Sequence, residues 1–174
     1  MRTLSDCIIE FLEEKGVTHV FTVSGGGSIF LCDALQRAKK IRYVCCHHEQ
    51  AASYAAEAYA RSRNSIGVCL VTSGPGGTNA VSGCASAWLD SVPVIFISGQ
   101  AFLSQTIEGK PGLRQLGVQE INIVDIVRPI TKLAFMMTQP SVQYYMENAV
   151  RIATTPRMGP VWIDIPGDIQ NARI

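Results

Sequence analysis

The sequence is poor in charge and lacks any long apolar run. Charged residues make up 17% of the 174 residues and the formal net charge is +1, so no charge excess points to nucleic acid or to an anionic membrane surface. No stretch approaches the ~20 consecutive apolar residues that a membrane span needs. The first residues, Met1-Arg2-Thr3-Leu4-Ser5-Asp6, turn amphipathic at once and lack the apolar core and cleavage site of a secretory signal. Internal repeats, low-complexity tracts and linker-like stretches are missing too, which leaves one domain. The six cysteines, at 7, 32, 45, 46, 69 and 84, form no C-x-x-C pair. They read as buried, reduced thiols of a cytoplasmic protein. Cys45-Cys46 precedes His47-His48, but adjacent strand residues point to opposite faces, which disfavours a shared metal.

What is present is apolar and periodic. Hydrophobic residues make up 47% of the chain, enough for a sizeable core. Helical spacing runs over 4–15 and closes at Gly16, and 28–38, 48–61, 78–88, 120–127 and 140–153 also read as helices. Apolar strands are expected at 17–23, 41–46, 66–72, 94–98, 130–136 and 161–165. A long polar loop fills 99–119. Near-continuous apolar strands alternating with amphipathic helices predict an α/β fold, a doubly wound parallel sheet with helices on both faces. Ligands of such sheets gather beyond the carboxyl ends of the strands. Three unusual segments fall there: Gly25-Gly26-Gly27, His47-His48-Glu49, and Thr72 to Asn79.

Each segment has a plain structural reading beside the functional one. Glu49 opens a helix and gains from the helix dipole whatever else it does. Histidines at a strand end are commonly structural. A triple glycine can be no more than a flexible turn. Gly74-Pro75-Gly76-Gly77-Thr78-Asn79 is more specific, because glycines flanking a proline before a helix let backbone approach a flat ligand. It matches neither G-x-x-x-x-G-K-[ST] nor G-x-G-x-x-G, which argues against a nucleotide phosphate loop.

Together the segments resemble a known family. His48-Glu49-Gln50 followed by Ala56-Glu57-Ala58-Tyr59-Ala60-Arg61 looks like the glutamate helix of thiamine-diphosphate enzymes. Thr72 through Asn79 is similar to their pyrimidine-side turn. Val94 to Gln100, Gln119-Glu120, Thr131-Lys132, Gly159-Pro160-Val161 and Pro166-Gly167-Asp168-Ile169-Gln170 follow the acetolactate synthase pattern in order. The resemblance implies an N-terminal pyrimidine-binding domain over 1–174, with the middle and diphosphate-binding domains outside this chain. It implies that Glu49 hydrogen-bonds N1′ of the aminopyrimidine and promotes loss of the C2 proton to give the ylid. A partly buried carboxyl suits that exchange, since desolvation favours its neutral form. Gly25 and Gly26 match the loop that meets the 4′-amino end. Thr72, Pro75, Gly76 and Asn79 match the wall beside the pyrimidine, and Gln119 matches a glutamine on the substrate side.

Other implications concern what lies elsewhere. The family holds the diphosphate through Mg²⁺ with a Gly-Asp-Gly segment and a later Asn, and this sequence contains no Gly-Asp-Gly. The metal then belongs to another domain or subunit, and FAD, where a synthase carries it, to the middle domain. The chain by itself is expected to be inactive, and the whole enzyme to decarboxylate and ligate 2-oxo acids as a homodimer or tetramer. The chain departs from the pattern at Ser24, where synthases commonly have proline, at Val118, where they have phenylalanine, and over 113–117. These positions fall where the second substrate would sit. A 2-oxo acid decarboxylase or another carboligase of the same cofactor class is thus an alternative, as is a non-catalytic subunit or assembly module.

Overall fold

Residues 2–174 are described by a computed structural model. Helices and strands alternate as the apolar periodicity requires. In chain order they are α1 (Leu4–Glu14), β1 (His19–Thr22), α2 (Ile29–Gln36), β2 (Arg42–Cys45), α3 (Glu49–Arg63), β3 (Gly67–Val71) and α4 (Pro75–Leu89). Then come β4 (Val94–Gln100), α5 (Ile123–Val127), β5 (Leu133–Met136), α6 (Val142–Thr154), β6 (Val161–Pro166) and α7 (Gly167–Gln170). The strands form one sheet in the order β2-β1-β3-β4-β6-β5, and every pairing is parallel.

Side chains alternate across each strand, so each central strand feeds two cores. Val68, Leu70, Ile95, Ile97, Val161 and Ile163 join Leu4, Ile8 and Leu12 of α1, Leu31 and Leu35 of α2, and Met146 of α6. Their alternates Cys69, Val71, Val94, Phe96 and Trp162 join Ala52, Ala56 and Ala60 of α3, Ala80 and Ala87 of α4, and Ile123 of α5. The sheet is therefore doubly wound. Fully burying each of the larger aliphatic side chains stabilises the fold by ~1.5–3 kcal/mol. On the second face Phe96 and Trp162 stack with ring centroids 5.0 Å apart.

The second face is packed unusually close. A Cβ on Gly67 would lie 2.1 Å from the Ala56 carbonyl oxygen, and one on Gly83 would lie 2.2 Å from Ser53 Oγ. The small residues of α3 are thus spent largely inside this domain: Ala52, Ser53, Ala56 and Ala60 are buried, whereas Ala51, Tyr54 and Ala58 face outward. β3, β4 and β6 are buried at every position, but the edge strand β2 is exposed at every position, unlike the buried apolar strand expected over 41–46. The cysteine expectation also needs correction. All six are free thiols, but only Cys69 and Cys84 are buried, Cys7, Cys32 and Cys46 are partly exposed, and Cys45 is exposed at the end of β2. Among the described residues no helix is long and apolar enough to cross a membrane.

The ends of the chain meet. Thr3 and Arg173 form an antiparallel bridge, and the Leu4 N–H donates to the Ala172 carbonyl at 2.8 Å.

Candidate functional site

The sheet order reverses between β1 and β3, since β1 is followed by β2 on one side and by β3 on the other. Loops leaving the carboxyl ends of strands on either side of such a switch diverge and open a crevice. Ser24–Gly27 leaves β1 there, residues 72–74 leave β3, and Glu49 follows β2 after three residues.

Glu49 is the first residue of the 15-residue α3. His48 caps that helix, its Nδ1 accepting the Gln50 N–H at 3.1 Å; this is the structural role open to such a histidine. The Glu49 carboxylate is partly buried and sits in the positive field of the helix start. Its Oε2 accepts a hydrogen bond from Asn79 Nδ2 at 2.9 Å. Its Oε1 is 3.4 Å from where a Cβ on Gly76 would be, and that same Cβ would collide with Thr72 Cγ2 at 2.6 Å. Gly76 is thus a bare floor beside the carboxylate. Asn79 reaches Glu49 because α4 begins at Pro75, not near 78 as the glycines suggested. Proline suits the first helical position, where its missing N–H costs nothing, and Gly74 supplies the turn at φ +58°.

The glycine loop after β1 closes on Thr72. Thr72 Oγ1 accepts the Gly27 N–H at 3.0 Å, and a Cβ on Gly25 would stand 2.6 Å from the Thr72 side chain. A side chain at Gly27 would strike Ser73 Oγ at 2.7 Å, whereas Gly26 faces open space. The close approach therefore requires Gly25 and Gly27. From the far end of the chain, fully buried Gln170 donates through Nε2 to the Gly27 carbonyl at 2.6 Å and to the Ile165 carbonyl at 2.7 Å. Gln170 belongs to the segment quoted for the resemblance, but nothing in its spacing signals contact with a loop 143 residues earlier.

Gly25, Glu49, Thr72, Gly76 and Asn79 are brought together, and Pro75 is exposed at the start of α4. Gln119 reaches this cluster by its backbone: its carbonyl oxygen would be 2.1 Å from a Cβ on Gly74, while its side chain is exposed. Gln119 itself has the left-handed φ of +54°.

A second polar cluster lies beside this one. A cavity of about 390 Å³ opens between the 106–122 segment and the β5–β6 edge, lined by Gln100, Glu120, Asp125, Arg128 and Asp164 among others. Asp164 is buried in β6, accepting from Ser98 Oγ at 2.6 Å and from Gln100 Nε2 at 2.9 Å. Trp162 Nε1 donates to the same Ser98 hydroxyl at 2.8 Å. Burial pushes the Asp164 carboxyl up to about 7, helped by the negative charge of Glu120 and opposed by the bonds from Ser98 and Gln100. Asp164 escaped the sequence reading, yet a charged residue inside the apolar 161–165 run was the available signal. Among the described residues no group of three or more His, Cys, Asp or Glu side chains is placed to hold a metal ion.

The chain as a whole is similar to known proteins. The family described as "Thiamine pyrophosphate enzyme, N-terminal TPP binding domain" matches residues 2–126. The chain is 42% identical over 171 residues to acetolactate synthase of Arthrospira platensis, covering 96% of this chain and 28% of that protein. It is 43% identical over 170 residues to the chloroplastic acetolactate synthase of Arabidopsis thaliana, covering 95% and 24%. With the acetolactate synthase large subunit of Corynebacterium glutamicum it shares 40% over 173 residues, covering 99% and 26%. The chain thus spans about a quarter of the length of the curated relatives it matches. On this match and on the doubly wound fold, the chain belongs to the thiamine pyrophosphate enzymes, as an N-terminal TPP-binding domain of the acetolactate synthase type.

Proposed function

We propose that this domain supplies the pyrimidine half-site of a thiamine-diphosphate-dependent enzyme that decarboxylates a 2-oxo acid and ligates the fragment to a second carbonyl compound. The observation that carries the reading is the Glu49 carboxylate, set at a helix start with one oxygen bonded to Asn79 and the other over the Gly76 floor. That arrangement fits a flat nitrogen heterocycle, because one carboxylate oxygen is oriented and glycine leaves room for a ring edge beside it. The cofactor supplies a carbon nucleophile once its C2 proton is lost. Glu49 holds or gives up a proton at the ring nitrogen N1′. Asn79 fixes the carboxylate plane. The backbone of the 25–27 loop, braced by Thr72 and Gln170, faces the opposite end of the ring, and Pro75 and Gly76 form its wall.

The remaining parts of the reading follow from what one such domain can hold. Residues 1–174 form a single domain. Mg²⁺ and the diphosphate belong to a separate domain or subunit of the complete enzyme, as does FAD if that enzyme carries it. The assembled enzyme is a homodimer or tetramer, and the six free thiols of this domain suit a reducing compartment, the cytoplasm. Gln119 stands on the substrate side, next to Val118, which is 85% exposed. Because Val118 and Ser24 differ from the common synthase residues, the choice of acceptor is the least constrained feature, and another 2-oxo acid carboligase is the second reading.

Glu49→Gln tests the central role. Glutamine keeps the shape and loses the acid, so cofactor binding is retained while C2 proton exchange, followed by NMR in the assembled enzyme, slows by ~10²–10⁴-fold. An unchanged exchange rate would remove Glu49 from the mechanism.

A further inference from the structure

Glu120 is buried, 7% exposed, and has no ion-pair partner among the described residues. Its two oxygens are taken by backbone. Oε1 accepts the Ile107 N–H at 2.6 Å and Oε2 accepts the Leu116 N–H at 2.9 Å. One carboxylate therefore closes both ends of the excursion over 107–116. A carboxylate receiving two N–H groups in a low-dielectric setting makes stronger bonds than a neutral acceptor.

The surroundings fix the carboxylate in turn. Gln100, at the end of β4, donates to the Ile121 carbonyl at 3.0 Å, and its Oε1 accepts the Ala101 N–H at 3.0 Å. The 101–122 segment is thereby tied to the sheet on both sides of Glu120. Gly117 lies so close to the start of the segment that a Cβ there would meet Ala101 Cβ at 2.5 Å. Immediately before Glu120 comes Gln119, at φ +54° and with its carbonyl pressed on Gly74. A left-handed non-glycine residue is held in place by its neighbours, and here the neighbours are Gly74 on one side and the anchored Glu120 on the other.

We propose that Glu120 is a positioning residue for the acceptor side of the site: by tying Ile107 and Leu116 together it holds Gln119 against the Gly74 turn. This rests on the reading of the domain given under Proposed function. The Glu120 oxygens bond Ile107 and Leu116 and not the Glu49–Asn79 pair, so in this proposal Glu120 takes no part in forming the carbon nucleophile. The residue sets where the second substrate can approach.

Glu120→Gln is the test, because an amide offers one acceptor where the carboxylate offers two and turns an N–H donor toward a backbone donor. In the assembled enzyme, hydrogen exchange of the Ile107 and Leu116 amides is expected to accelerate by about tenfold or more, the scale of losing one buried hydrogen bond. KM for the acceptor 2-oxo acid is expected to rise by a similar factor while C2 proton exchange stays at the wild-type rate. If the variant does not assemble, Ile107→Pro breaks one arm of the clamp with the carboxylate intact, and exchange of the Leu116 amide and the acceptor KM are then the readouts. Proline removes only that N–H, and the preceding Thr106 is already extended, at φ −90° and ψ 158°, as a residue before proline prefers. Amide exchange unchanged in the variant that assembles overturns the clamp. Accelerated exchange with an unaltered acceptor KM overturns the positioning role and leaves a loop staple. The amide measurement needs no cofactor. A wild-type enzyme without C2 exchange would therefore count against the proposed function and leave the clamp to be judged on its own result.

Discussion

Asp164 makes the domain's stability depend on pH in a definite direction. Its carboxyl is pushed up to about 7 by burial in β6, whereas an unfolded aspartate titrates near ~3.9. The folded state then binds the extra proton between those values, so stability is complete below the lower one and is lost as pH rises through about 7. Each unit between the two pKa values corresponds to about 1.4 kcal/mol. Thermal unfolding followed from pH 5 to pH 8 is expected to show a falling melting temperature, and Asp164→Asn is expected to flatten that fall. A wild-type slope of the opposite sign would show that other groups dominate. At the same scale Glu49 was legible in the sequence, since a carboxylate at a helix start between glycine turns stands out. Asp164 stood out only as a charge inside an apolar run and Glu120 not at all, because the role of a buried carboxylate is set by the amides and hydroxyls it meets, which lie up to 66 residues away.

Among the elements, the α3–α4 pair sets the Glu49–Asn79 distance, since one helix carries the carboxylate and the other its donor. Gly83 sits where the two approach. Gly83→Ala would place a methyl 2.2 Å from Ser53 Oγ and 2.8 Å from the Ser53 carbonyl carbon, so the helices must separate. Overpacking of this kind typically costs ~1–3 kcal/mol, and urea unfolding is expected to show a lowered midpoint at an unchanged slope. The same separation is expected to slow C2 proton exchange in the assembled enzyme, although Gly83 lies along the helix from the site. Most elements were legible, because apolar runs such as 94–98 and helical spacing such as 4–15 are local signals. The helix start at Pro75 was not: the glycines around it weigh toward a turn, and tertiary packing on Thr72 and Ile123 overrode them. The exposure of β2 was hidden for a related reason. Tyr43 and Val44 look like core residues by composition, and only the strand order places them at an edge.

For the whole molecule, the packing of α3 limits which of its residues a partner copy could meet. Ala56 belongs to the internal core, so enlarging it tests folding and not assembly. The small residues that α3 leaves outward are Ala51 and Ala58, beside Tyr54, which is 42% exposed, and a dimer formed through this helix would have to use them. Ala58→Glu is expected to weaken a dimer by a tenfold or greater rise in its dissociation constant, about 1.4 kcal/mol, with the folded fraction unchanged; sedimentation of wild type and variant at matched concentrations reads this directly. A wild-type protein that stays monomeric at every concentration would refute the surface.

The bond from Gln170 to the Gly27 carbonyl also orders events in time. Synthesis proceeds from the amino end at ~5–20 residues per second, so the glycine loop emerges with its neighbour 143 positions still to come. For that interval, roughly seven to thirty seconds at such rates, the nascent loop lacks the Gln170 amide that later holds its carbonyl. The sheet must also still receive β6, which carries the fully buried Trp162. Thr72 can hold the Gly27 N–H as soon as β3 is made, so the loop is fixed in two stages, its N–H early and its carbonyl last, and a chain ending before residue 170 would carry a glycine loop braced on one side only.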